Sequence, residues 1–122
     1  MSAPRTLSFE EFWRWVINHN VCILRAGTVD AIIYDDEEFH WHFADYGDLY
    51  GVQVIRGKTV VAEFFVEPDR VDYVQVLPSK DAEEWIFELV EETEREPYTA
   101  YIFVMAHDYE DDEGKLPRRQ VH

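Results

Sequence analysis

The chain has 122 residues and carries 26 Asp and Glu against 11 Lys and Arg, which gives a formal net charge of −15 at pH 7. This charge would repel nucleic-acid phosphates and anionic membrane surfaces, so neither class of partner is expected. The chain is also 47% hydrophobic and 16% aromatic. This composition predicts one folded domain with its own core rather than a disordered acidic tail.

The cysteine content and the start of the sequence indicate a cytoplasmic protein. Cys22 is the only cysteine, so no disulfide can form within the chain, and a reducing compartment is the default. Residues 1–7 contain no apolar segment of the kind found in secretory signals, and no stretch approaches the roughly 18 apolar residues of a membrane span. Cys22 itself lies between two apolar residues and is interpreted as a small buried thiol.

The first predicted helix follows a short arm, residues 1–7, which we expect to be flexible. Ser8 and Glu11 have the spacing of a capping box, and Leu7 and Phe12 have the spacing of a hydrophobic staple. The apolar residues that follow repeat at the i, i+3, i+4, i+7 positions of one helix face. A helix is therefore predicted to begin after Ser8.

A series of strands follows this helix. Alternating or continuous apolar runs bounded by Gly, Pro and acidic turns are typical of strands. The last run is nearly continuous in apolar residues, which predicts a strand that is covered on both faces at the centre of its sheet. The predicted strands span residues 21–24, 29–34, 39–43, 49–56, 59–66, 71–77 and 98–106.

A second helix is predicted over residues 81–95, where apolar residues again follow a helical stripe. The expected fold class is therefore α+β. It is a single two-layer domain in which both helices pack on a curved, mostly antiparallel sheet of about six or seven strands. We expect this domain to span residues 8–107 and to be followed by an acidic and then basic tail over residues 108–122.

The second predicted helix carries a dense set of charges. Residues 81–96 contain eight acids and a single base. Several acids crowd the C-terminal end, where the helix macrodipole disfavours them, and some repeat unfavourably at i, i+4. Helix stability alone would not select this pattern. It indicates an anionic face that docks a basic partner, and the alternative is a solvated face that serves solubility. The residues assigned to the docking face are Glu84, Glu88, Glu91 and Glu92.

Two tyrosines in or near predicted loops extend this hypothesis. Tyr46 and Tyr50 lie around the connection between two strands. Tyrosine is favoured at interfaces because it offers a large rigid ring with a polar end. We expect both residues to contribute to a partner-binding surface or to a homodimer contact, and the alternative is that they cover the edge of a sheet.

His40 and His42 are the candidate metal ligands. Strand residues at i and i+2 point to the same face, about 6.6 Å apart. Both imidazoles could then reach one divalent metal ion, with Glu63 or His107 completing the ligand set. The alternative is a half-exposed sheet in which Trp41 and its apolar neighbours enter the core while both histidines face solvent.

No other sequence pattern indicates catalysis or cofactor binding. The three serines lie outside any nucleophile-elbow context, and the glycines form no phosphate-binding loop. Acid clusters at residues 35–38 and 110–113 could attract a divalent cation. Neither has the spacing of an EF-hand loop, so solvated turns are the preferred interpretation. No cofactor is therefore expected.

The leading hypothesis is a non-enzymatic binding protein that recognises a basic protein surface, in the manner of an immunity protein, an inhibitor or a chaperone. Two alternatives stay open. One is a metal-binding domain or a metal-dependent enzyme that uses the His40/His42 pair. The other is a small ligand-binding or structural domain, with a pocket lined by Trp41, Phe43 and Tyr101, whose charge serves solubility alone.

Overall fold

A computed structural model of the chain describes residues 5–80 and 83–110. These residues form one α-helix and nine strands, with short 3₁₀ turns at Asn20–Cys22 and Pro68–Arg70. The helix α1 spans Phe9–Ile17, and the strands are β1 (Arg5–Leu7), β2 (Ile23–Thr28), β3 (Ala31–Tyr34), β4 (Phe39–Asp45), β5 (Tyr50–Arg56), β6 (Thr59–Val66), β7 (Tyr73–Pro78), β8 (Trp85–Glu91) and β9 (Tyr98–Met105).

The strands form two antiparallel sheets rather than one. The large sheet has the order β1-β7-β8-β9-β2-β3, and the small sheet has the order β4-β5-β6. The last strand, β9, lies between β8 and β2, so its predicted central position is confirmed. The α+β class is confirmed in its general form, a mostly antiparallel sheet structure with an N-terminal helix.

The start of α1 matches the capping box expected from the sequence. The hydroxyl of Ser8 accepts a hydrogen bond from the N–H of Glu11 at 3.0 Å, and the Glu11 carboxylate accepts one from the N–H of Ser8 at 2.9 Å. These bonds satisfy two donors that a helix start otherwise leaves unpaired. The helix has nine residues, and no helix in the described parts of the chain is long and apolar enough to cross a membrane.

One face of the large sheet carries the core. The strand register places Ala26, Phe103, Phe87 and Val76 in one row across four adjacent strands, and all four are buried. Phe12 of α1 packs on this row, with ring centroids 5.1 Å from Phe87 and 5.4 Å from Phe103. We call this side of the large sheet the inner face.

The small sheet packs beside α1 on the same inner face. Trp13 of α1 lies 5.2 Å from Phe43 of β4 and 5.1 Å from Tyr50 of β5 between ring centroids. Phe64 of β6 lies 6.0 Å from Phe103 of the large sheet. Aromatic rings therefore join the helix and the two sheets into one continuous core.

The predicted second helix is wrong. Residues 85–91 form the strand β8 between β7 and β9. Phe87 and Leu89 point to the inner face and are fully buried, whereas Ile86 and Glu88 line a depression on the other side of the sheet. Half-buried and buried positions alternate over residues 86–89, as they do in a strand. The aromatic and β-branched residues of the segment also favour that state. Asp81, the expected helix cap, lies outside the described residues.

Both ends of the described chain are ordered further than expected. Arg5–Leu7, placed in the flexible arm by the sequence, forms β1 and pairs with β7. Leu7 lies opposite Val74 and packs against the core, which supplies a physical reason for its order. Tyr109, placed in the tail, lies 5.3 Å from Trp15 between ring centroids. Residues 1–4 and 111–122 lie outside the described residues.

The position of Phe12 at the junction of α1 and the large sheet leads to a stability prediction. Phe12→Ala should lower the free energy of unfolding by about 3–5 kcal/mol, because it removes a buried ring and leaves a cavity. Phe65→Ala removes the same atoms from a side chain that is 49% exposed, and should cost less than about 1 kcal/mol. Urea unfolding followed by circular dichroism measures both values. Equal costs for the two variants would contradict the assigned core.

Candidate functional site

The glutamates predicted to line a helix face lie in β8 or directly beside its two ends instead. The Glu84 carboxylate accepts a hydrogen bond from Arg25 at 3.3 Å. The Glu88 carboxylate accepts one from Gln75 at 3.2 Å. Each partner lies on another strand of the large sheet, so these acids take part in cross-strand contacts. The structure does not bring the four glutamates together on one helical surface.

The outer face of the large sheet holds a shallow depression of about 270 Å³. Gly27 lies opposite Ile32 on β3 and Ile102 on β9 in the register, and it contributes no side chain to the row. A Cβ atom at Gly27 would collide with the carbonyl oxygen of Ala31. The depression is mostly apolar, and Glu88 is the only acidic residue in its lining. Its lining residues are Arg25, Ala26, Ile32, Ile86, Glu88, Ile102 and Val104.

Seven acidic residues lie on the segments where β7 begins, β8 ends and β9 begins. We call this surface the acidic end of the large sheet. Arg70 pairs with Glu91 at 3.0 Å and with Glu67 at 3.7 Å, and Arg95 is the other base in these segments. Most of its acids are exposed, and they are Glu67, Asp69, Asp72, Glu91, Glu92, Glu94 and Glu96.

Hydrogen bonds order the loop that carries much of the acidic end. The Asp72 carboxylate accepts a hydrogen bond from the N–H of Glu92 at 2.7 Å. The Thr93 hydroxyl accepts bonds from the N–H groups of Arg95 and Glu96 at 3.2 and 3.1 Å. The loop between β8 and β9 therefore holds its carboxylates on a defined backbone, rather than on a chain that must be ordered when a partner binds.

Tyr73 marks the edge of the acidic end. Burial raises the pKa of its hydroxyl, and a hydrogen bond to Glu92 raises it further. The hydroxyl therefore stays neutral at physiological pH and can act as a hydrogen-bond donor to Glu92. Tyr73 thus adds an aromatic ring with a polar hydroxyl to the acidic end.

The two tyrosines predicted for the partner surface have different environments. Tyr46 is 51% exposed, and its hydroxyl donates to the Glu63 carboxylate at 2.9 Å. Its ring lies 6.0 Å from that of Phe65, a residue two positions before Glu67 of the acidic end. Tyr50 instead packs against Trp13 in the core. The structure therefore places Tyr46, but not Tyr50, in an exposed aromatic patch.

His40 and His42 lie on the exposed face of the small sheet, and the intervening Trp41 is buried in the core. Glu63, one residue proposed to complete a ligand set, is two strands from His42 and accepts hydrogen bonds from neighbouring side chains. His107 is held elsewhere, beside a cysteine. Residues 5–80 and 83–110 contain no group of three or more His, Cys, Asp or Glu that could hold a metal ion.

The other expected sites have structural roles where they are described. Asp35 accepts a hydrogen bond from the indole of Trp41 at 2.9 Å, and Asp36 accepts one from the N–H of Glu38 at the same distance, so this acidic turn supports its own strand connection. Trp41 and Tyr101 are buried core residues. Most of the acid cluster at residues 110–113 lies outside the described residues.

Sequence reasoning missed the contact between Cys22 and His107. The Nε2 atom of His107 lies 3.1 Å from the Sγ atom of Cys22, although the two residues are 85 positions apart. Burial raises the pKa of the Cys22 thiol. Cys22 is half-buried and free, whereas the sequence predicted a buried structural thiol. No local motif signals this pair, because β9 must lie beside β2 before the two residues can meet.

The bond between Tyr46 and Glu63 leads to a prediction about pH. The hydrogen bond from Tyr46 to Glu63 raises the pKa of the tyrosine, with burial as the next cause. The hydrogen bond therefore stabilises the fold below the ordinary tyrosine pKa of about 10, and this stabilisation is lost as the pH rises through the raised pKa of Tyr46 in the folded protein. Glu63→Gln should lower the Tyr46 pKa, as measured by NMR of the ring. Glu10→Gln on α1 is the control, and an unchanged Tyr46 pKa in Glu63→Gln would contradict the assigned cause.

Comparisons of the chain with protein-family models, with curated proteins and with solved structures find no match. The arrangement of side chains in this fold is therefore the observation that bears on function. The arrangement offers an ordered acidic end, an apolar depression on the outer face of the large sheet and an exposed aromatic patch on the small sheet.

Proposed function

We propose that this chain is a non-enzymatic binding protein that recognises a basic protein surface, in the role of an inhibitor, an immunity-type protein or a chaperone. The observation that carries the proposal is the acidic end, where seven carboxylates and two bases lie on two chain segments, residues 67–72 and 91–96. A partner with clustered Lys and Arg is the occupant that matches this charge. Acidic or neutral partners would lack the electrostatic attraction.

The order of the acidic end supports binding rather than solubility alone. Solubility requires only dispersed charge, and flexible side chains on a mobile loop would supply it. Here Asp72 and Thr93 instead bond the backbone of the β8–β9 loop. A pre-ordered surface loses less conformational entropy when a partner binds.

The exposed aromatic patch supplies the second part of a binding surface. Tyr46 and Phe65 contact each other and are both about half exposed. Phe65, near the end of β6, precedes Glu67 of the acidic end by two residues, so the aromatic patch lies close in the chain to the charged surface. Charged groups mainly accelerate association, whereas buried aromatic groups hold the complex together.

Charge reversal within the acidic end tests the proposal. The variant Asp69→Lys/Glu94→Lys/Glu96→Lys changes three exposed acids and should slow association with basic peptides by about tenfold or more. The probes are peptides that the wild-type protein selects from a random displayed library, and these should be rich in Lys and Arg. Raising the ionic strength from about 0.05 M to about 0.5 M should weaken wild-type binding, because salt screens exposed charges.

A matched variant separates a local surface from the overall charge. Glu10→Lys/Glu37→Lys/Glu38→Lys makes the same change in net charge at exposed positions on α1 and in the β3–β4 turn. Its association rate should stay close to that of the wild type. Equal slowing in both variants would show that net charge alone attracts the peptides. Selection of neutral or acidic peptides would overturn the proposed partner class.

A further inference from the structure

The contact between Cys22 and His107 has the geometry of a thiol facing a general base. The Nδ1 atom of His107 lies 3.0 Å from the carbonyl oxygen of Asp108. A carbonyl oxygen can only accept, so Nδ1 carries the ring proton. The lone pair of Nε2 then faces the Cys22 thiol at 3.1 Å, and the thiol donates its S–H to it. The Cys22 thiol therefore faces the base His107, and the carbonyl group of Asp108 orients that base.

Aromatic contacts hold the imidazole of His107 in this orientation. The ring of Trp15 lies 5.6 Å away, nearly perpendicular to it. The ring of His19 lies 5.3 Å away and stacks on Trp15 at 4.6 Å. The Nδ1 atom of His19 in turn donates to the carbonyl oxygen of Trp15 at 2.7 Å. The base is therefore packed between residues that restrict its rotation.

Among the described residues, the charged and titratable groups around the pair include His19, Asp108 and Tyr109. Besides His19, the carboxylate of Asp108 is the group closest along the chain to His107. It forms an ion pair with Arg5 of β1 and accepts the N–H of Tyr109 at 2.6 Å. Because Asp108 is already paired, His107 is the group in hydrogen-bond contact with the thiol that can take its proton.

The thiol is partly buried in a segment at the surface, and it needs such a base. Cys22 is half-buried and free, and the preceding Val21 is 84% exposed, so the segment lies at the surface. Burial raises the pKa of Cys22, and the resting group is therefore the neutral thiol that donates to His107. The thiolate is the nucleophilic form, so reaction near neutral pH depends on proton transfer to Nε2.

We propose that Cys22 and His107 form a thiol–imidazole pair at which low-molecular-weight disulfides modify the protein. In this step, Nε2 of His107 accepts the thiol proton as Sγ attacks one sulfur atom of a disulfide RSSR. The new Sγ–S bond forms, the S–S bond of the reagent breaks, and the leaving thiolate takes the proton from His107. The products are a mixed disulfide on Cys22 and one free thiol RSH, so the reaction balances without another reactant.

The probe for this proposal is 5,5′-dithiobis(2-nitrobenzoate), a small disulfide whose released thiol absorbs visible light. At about pH 7, His107→Asn should react about tenfold or more slowly than the wild type, because general-base assistance is lost. The rate of the variant should rise about tenfold per pH unit, following its thiolate fraction, whereas the wild-type rate should depend less steeply on pH. His42→Asn, at an exposed position of the small sheet, should react like the wild type.

Two further measurements keep the test decisive. Cys22 is the only cysteine, so Cys22→Ser should release no coloured thiol. The wild-type protein at about pH 6 should react faster when native than when unfolded in urea, because only the native chain brings His107 to the thiol. A slower native reaction would overturn the proposal even where His107→Asn fails to fold. Equal rates in a folded His107→Asn variant and the wild type would overturn it as well.

Discussion

Aromatic packing of Phe12 and Trp13 links α1 to both sheets. Phe12 covers Phe87 and Phe103 of the large sheet, and Trp13 reaches Phe43 of the small sheet. The two sheets share no strand, so these rings help to hold them in one core. The indole N–H of Trp13 is buried without a hydrogen-bond partner in the described structure, a cost that the burial of its large ring offsets.

Burial on the inner face also determines what the acids of β8 can do. With Phe87 and Leu89 directed into the core, the side chains of Glu84 and Glu88 meet Arg25 and Gln75 of other strands. The like charges that would repel each other at i, i+4 of a helix are therefore separated along a strand and partnered across it. The unfavourable charge pattern predicted for a helix was a sign that this segment is not helical.

Other acids lie at the ends of the strands of the large sheet. Glu84 and Glu88 contact side chains of other strands, whereas seven further acids lie around Asp72 and Thr93 at the acidic end. Beyond β9, the chain passes Trp15 of α1, and His107 lies beside Cys22 there. The proposed binding surface and the proposed reactive thiol thus occupy different parts of the molecule, and each can be altered without changing the other.

Elements that depend on neighbouring residues could be predicted from the sequence. These include the capping box at Ser8, the alternation of His40, Trp41 and His42, and the continuous apolar run of β9, because each is specified by local hydrogen bonding or periodicity. The state of residues 85–91 could not be predicted in this way, because their apolar spacing fits a helix or a strand until β7 and β9 supply backbone partners on both sides. The contact of Cys22 with His107 likewise depends on the fold, since residues far apart in the chain come together only when long-range strand pairing places them side by side.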